Sequence, residues 1–124
     1  MSAEDNKRAA MDGYAAFNRG DAEAAMANIS DSIEWVVKGD SAVTGTYRGK
    51  QDVGGFWANL GEKGFQVNPT EFIADGNKVV VLTTVSVGGN ESDNVDVLTY
   101  DGSGQLTRFE TFGEEGVLDK AFPR

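Results

Sequence analysis

The chain has 124 residues, a formal net charge of −9 and neither cysteine nor histidine. That length holds one domain, residues 1–124, around one core, and the charge argues against partners with a phosphate backbone or an anionic membrane surface. Without thiol or imidazole there is no disulfide, no Cys–His or Ser–His pair and no histidine metal site, so acid–base chemistry falls to Asp, Glu, Tyr or Lys. Apolar residues make up 40% of the chain, as in ordinary globular proteins. No apolar run approaches the roughly 20 residues of a membrane span. The opening MSAEDNKR lacks the apolar stretch of a signal peptide, so the expected location is cytoplasmic.

Taken in chain order, Ser2 followed by Asp5 predicts a helix cap. Ala10, Tyr14 and Phe17 recur at helical spacing, and Gly20 stops that helix. Asp21 caps a second helix with Ala22, Ala25, Met26 and Ile29 on one face. Residues 33–37 read as a strand, residues 39–49 as turns, and residues 50–60 as a third helix carrying Val53, Phe56, Trp57 and Leu60. Four strands follow. Residues 65–74 form the first, with Pro69 marking an edge or a bulge. Asp75-Gly76 is a hairpin turn and residues 78–87 are a β-branched run. A polar loop over 88–93 leads to strands at 94–100 and 105–112, separated by the turn at 101–104. A short helix starts near Glu114, where that carboxylate serves as a cap. Helices first and a meander afterwards predict an α+β domain with helices on one face of an antiparallel sheet.

Asp96 stands between Val95 and Val97 in a strand otherwise fit for a core, and it is the residue that most points to chemistry. A four-residue turn at 101–104 pairs Tyr100 with Gln105, Leu98 with Thr107 and Asp96 with Phe109. That register puts Asp96, Leu98, Tyr100, Thr107, Phe109 and Thr111 on one face and Arg108 and Glu110 on the other. A bulge in the turn would change the assignment. Trp35, Tyr47, Phe56 and Trp57 are expected in the core or the wall of a pocket, with Trp35 rather than Glu34 facing inward. The glycine loop at 88–93 lacks the alternating oxygen ligands of a calcium site, and no metal is expected.

YAAFNRGD at residues 14–21, GTYRGKQDV at 45–53, VDVLTYDGSGQL at 95–106 and FGE at 112–114, in that order and spacing, resemble the NTF2-like superfamily. Within it they are most similar to the SnoaL-like and ketosteroid-isomerase-like proteins. The resemblance implies a cone-shaped α+β barrel of the cystatin/NTF2-like kind, with three N-terminal helices packed on a strongly bent antiparallel sheet. It also implies a deep apolar pocket for a small apolar molecule and a homodimer formed through the sheet. The superfamily includes isomerases, polyketide cyclases, epoxide hydrolases, dehydratases and non-enzymes, so fold alone does not give function.

In the ketosteroid isomerases the strand that VDVLTYDGSG resembles carries a pocket aspartate, held neutral to donate a hydrogen bond to a developing oxyanion. The resemblance assigns that part to Asp96. It assigns Tyr14 as a helper, although Gly13 occupies the slot of the family's tyrosine and Tyr14 lies one residue, about 100°, further round the helix. The family's base falls on Val36 or Val37 by one count and on Asp40 by the other. Trp35, Tyr47, Phe56, Trp57, Leu98 and Phe109 are the expected substrate contacts. An epoxide-hydrolase set of Asp96, Arg108 and Glu110 has suitable chemistry, but the register places it on opposite faces. Three classes follow: a cofactor-free isomerase, cyclase or dehydratase acting on a small apolar carbonyl compound, a non-catalytic ligand-binding pocket, and a dimerisation module with a filled pocket.

Overall fold

The computed structural model of the protein describes residues 2–113 and 115–124. The elements, in order, are α1 (Ala3–Asn18), α2 (Ala22–Ala25), β1 (Ile29–Val37), β2 (Gly45–Arg48), α3 (Gly49–Glu62), β3 (Gln66–Asp75), β4 (Lys78–Val87), β5 (Asn90–Tyr100), β6 (Leu106–Phe112) and α4 (Glu115–Ala121). Among the described residues the strands form one sheet in the order β2-β1-β6-β5-β4-β3. The sheet is open, and its inner face receives the helices, as an α+β cone requires.

Each element has a local cause. Ser2 accepts a hydrogen bond from the Asp5 amide and Asp5 accepts one from the Ser2 amide, which closes a capping box on α1. The buried stripe Ala10, Tyr14 turns that helix onto β3 and β4. Strict alternation in β4 sends Val79, Val81, Thr83, Val85 and Val87 inward and leaves Lys78, Val80, Leu82, Thr84 and Ser86 outside. β5 follows the same rule, with Asn94, Asp96, Leu98 and Tyr100 inward. β3 is an edge strand, and its register slips between Pro69 and Glu71, where proline cannot donate to the ladder.

Four expectations are corrected. Ile29 begins β1 instead of lying on the second helix, because it pairs with Leu106 from the far end of the chain. β1 and β6 run parallel, so the sheet is mixed and not wholly antiparallel. The turn-rich stretch contains β2, which pairs with β1 from Gly45 to Arg48. The polar loop shrinks to Gly88-Gly89, since Asn90 to Asp93 are paired with β4. The expected cap at Glu114 lies outside the described residues.

The β5–β6 register also differs from expectation. Tyr100 pairs with Leu106 and Thr99 with Arg108, so Thr107 is an extra residue on β6. Beyond this bulge Leu98 pairs with Phe109 and Asp96 with Thr111. The slip is two residues, a full pleat, so Phe109 and Thr111 keep their inner face beside Asp96. Thr107 leaves that group, and Leu106 takes its place in the core.

Candidate active site

The inner face of the sheet and the helices enclose a cavity of about 90 Å³ of water-accessible space, room for several water-sized molecules. Its wall is largely apolar. Trp35 and Phe109, neighbours across the parallel β1–β6 pair, stack with centroids 3.7 Å apart and planes 9° from parallel. Trp57 from α3 meets Trp35 edge to face at 5.6 Å, and Phe17 from α1 meets Trp57 the same way at 5.3 Å. Phe56 and Leu98 complete the set of expected contacts that line the space.

Asp96 is the one charged side chain among the described residues of that wall. It is 3% exposed. The phenol of Tyr14 donates to its Oδ2. Its Oδ1 is buried with no hydrogen-bond partner among the described residues, as is Oγ1 of Thr111, its direct neighbour across β6. Burial pushes the carboxyl up to about 6. The hydrogen bond from Tyr14, and then the nearby side chains of Thr111 and Asn94, hold it from rising further. Thr111 and Asn94 lie near enough to favour the charged form, yet neither closes a hydrogen bond on Oδ1. A carboxyl raised to that range lies close to neutral pH, where a group could both take and return a proton.

Tyr14 comes to Asp96 although it lies one residue off the family's slot. Its ring packs edge to face against Phe72 at 5.7 Å, which fixes the direction of the phenol. Gly13 lines the cavity, and a Cβ built on it would meet nothing within 4 Å.

Two expected site residues are elsewhere. Asp40 lies outside the cavity, in the exposed loop after β1. Its backbone amide donates to Asp119, and its carboxylate pairs with Arg124 at 2.6 Å. Away from the lining, it is out of hydrogen-bond reach of a ligand held in the cavity. Val36, the other count, faces outward opposite Glu110, and Val37 is an apolar core residue. Tyr47 does not line the cavity. It stacks behind Phe56 at 4.8 Å, and its hydroxyl donates to the Val43 carbonyl. Arg108 and Glu110 sit on the outer face, in a ladder in which Arg108 bonds Glu34 and Glu110 and Lys38 bonds Glu110.

Tyr100 and Thr111 lie on the inner face, as the expected pairing implies. Tyr100 lines the cavity, and burial pushes its phenol up, which keeps it a protonated donor. Asn28 in the turn just before β1, Phe65 before β3 and Leu106 also line the space. The signal for Leu106 was the bulge at Thr107, which a single sequence does not mark. Among the described residues no cluster of acidic side chains could hold a metal ion, and no helix is long and apolar enough to cross a membrane.

A family model, the SnoaL-like domain, matches residues 11–109, which run from the second half of α1 into β6 and include Tyr14 and Asp96. The chain belongs to the SnoaL-like family. No functionally curated protein matches the sequence. Among solved structures, an NTF2-like protein from Burkholderia xenovorans is 26% identical, with a TM-score of 0.81 over 98% of each chain. TerC, co-crystallised with polyporic acid, is 27% identical, with a TM-score of 0.82 over 94% of this chain and 97% of that one. A candidate ketosteroid isomerase from Kribbella flavida is 18% identical, with a TM-score of 0.78 over 90% of this chain and 78% of that one, and shares the fold. This SnoaL-like chain thus has the superfamily's NTF2-like architecture, with a carboxyl and a phenol joined in the apolar interior.

Proposed function

We propose that this SnoaL-like protein is a cofactor-free acid–base catalyst acting on a small apolar carbonyl compound, as an isomerase, cyclase or dehydratase does. One observation carries the reading: Asp96, shut away from solvent in an apolar wall, accepts a hydrogen bond from Tyr14. Apolar surroundings strengthen each electrostatic contact of that pair. Asp96 is the store for the transferred proton. Tyr14 orients the carboxyl, and its oxygen is the nearer contact for a ligand, since Oδ2 is engaged and Oδ1 buried. Trp35, Trp57, Phe56, Leu98 and Phe109 supply the apolar grip. TerC, which was crystallised with polyporic acid, supports a cyclic oxygenated ligand for this cavity as well.

The test is exchange of hydrogen for deuterium beside a carbonyl. 2-Cyclohexenone and 1-indanone, incubated in D₂O with the protein, should lose α-hydrogen signals in proton NMR faster than with buffer alone. Asp96→Asn should remove the acceleration. An acceleration unchanged in that variant would refute the assignment.

A second reading, ligand binding without turnover, is favoured by the lack of another charged side chain in the described wall. It predicts binding with no exchange. Either reading includes a homodimer through the outer face of the sheet. There Val80, Leu82, Val95 and Val97 are only half-buried and Phe112 is 43% exposed.

A further inference from the structure

This inference rests on the proton-transfer reading above and concerns which chemical form of a ligand the cavity recognises. A phenol has one hydrogen and two lone pairs, whereas an ionised carboxylate has lone pairs alone. Tyr14 has committed its hydrogen to Asp96 Oδ2. Asp96 Oδ1 receives no donor from the described residues. Thr111 and Asn94, whose side chains favour the charged form of Asp96, do not line the cavity. With Asp96 ionised, the Tyr14–Asp96 pair therefore presents acceptor capacity to the cavity and no hydrogen. A ligand carbonyl placed against it would set lone pair against lone pair, in a wall too apolar to relieve the conflict. A ligand hydroxyl would meet the need.

Donors are found elsewhere in the wall. Tyr100 lies four residues from Asp96 on the same face of β5, about 13 Å along the strand. The indole Nε1 of Trp57 is buried without a partner among the described residues. The hydrogen-bonding sense of the cavity is thus uneven, with acceptors at the Tyr14–Asp96 end and donors away from it.

We propose that the cavity selects a compact, mainly apolar ring compound through a hydroxyl that donates into the Tyr14–Asp96 pair. In this view it holds a phenol or the enol form of a carbonyl compound in preference to the ketone. The small cavity limits the ring system, and the stacked Trp35–Phe109 wall suits a flat one.

The test compares phenol, fluorobenzene and benzaldehyde at pH 8, where phenol is still protonated. They share one ring and differ in offering a donor, no polar hydrogen, or an acceptor. Binding is read from the indole signals of Trp35 and Trp57. Phenol should bind about three- to tenfold more tightly than either of the others, the ratio expected for one hydrogen bond accepted by the Tyr14 oxygen. Asp96→Asn, which keeps the shape, should erase most of that advantage. Asp96→Leu should free the Tyr14 hydrogen and favour benzaldehyde over phenol. Benzaldehyde binding as well as phenol to the unaltered protein, or the same phenol preference in both variants, would overturn the proposal and leave the pocket reading standing. If none of the three compounds shifts an indole signal, the pocket reading beneath it falls too.

Discussion

The phenol of Tyr14 on α1 donates to the carboxyl of Asp96 on β5, 82 residues away in sequence. This contact joins the first helix to the fifth strand in the interior and opposes the burial that raises the carboxyl of the only charged group in the described cavity wall.

Replacing Asp96 by Asn should stabilise the protein at neutral pH. The carboxyl rises from 3.8 to about 6 on folding, so the folded state holds its proton between those values while the unfolded chain releases it. Stability therefore falls as pH rises through this window. The ionised form costs about 3 kcal/mol above it, offset in the mutant by a weaker bond to Tyr14. Thermal melts should show Asp96→Asn above the parent at pH 8, with the gap closing near pH 4. A gap that widens on acidification would contradict the burial argument.

Tyr14→Phe removes the largest influence holding Asp96 down. The carboxyl should then titrate above about 6, which carbon-detected NMR of its side chain would follow. Since the proposed exchange starts from the ionised carboxylate, the rising limb of its pH profile should move up by the same amount. A downward movement would show that Tyr14 does not donate in solution.

Gly13→Leu should close the cavity without harming the fold. A Cβ at this position meets open space, and helix propensity gains about 0.8–1 kcal/mol when glycine leaves a helix interior. The expected result is an unchanged or higher melting temperature together with loss of ring-compound binding by NMR. Undiminished binding would place the ligand elsewhere.

Gly113→Ala should be damaging. Gly113 has φ +104°, and a Cβ there would come within 2.8 Å of the Asp93 carbonyl oxygen. Both effects fall at the end of β6, two residues from Thr111. A loss of about 1–3 kcal/mol in urea denaturation is expected, and a neutral result would mean that this turn relaxes freely.

Val95→Lys tests the proposed dimer. Val95 faces out beside Leu82 and Phe112, and a charge there opposes burial against a second copy. Sedimentation should show dimer for the parent and monomer for the variant. A parent that sediments as a monomer ends the proposal.

Much of this fold was legible because local rules and tertiary pairing agree in it. The run from Lys78 to Val87 is a strand by composition and by observation, and Ser2 and Asp5 cap α1 as their spacing predicts. Pro69 marks both an edge strand and a register slip. The misses share one cause. Ile29, Gly45 to Arg48 and Asn90 to Asp93 look like helix end, turn and loop when read alone, and become strand only through pairing. Tyr47 and Asp40 were candidates by residue type and family position. Tyr47, stacked behind Phe56, and Asp40, paired with Arg124, both lie outside the cavity lining, and neither placement can be read from neighbours in sequence. Asp96 stood out because a charge is costly in a strand otherwise fit for a core, once its own face is buried.

The parallel pairing of β1 with β6 bears on how the protein comes off the ribosome. Ile29 must wait for Leu106, and Trp35 for Phe109, before either has its partner. Such distant contacts fold slowly, because a long loop must close before any reward is collected. Until the last strand emerges, the greasy side of the nascent sheet is uncovered, so synthesis rate and chaperone supply should govern the yield of this protein more than its final stability does.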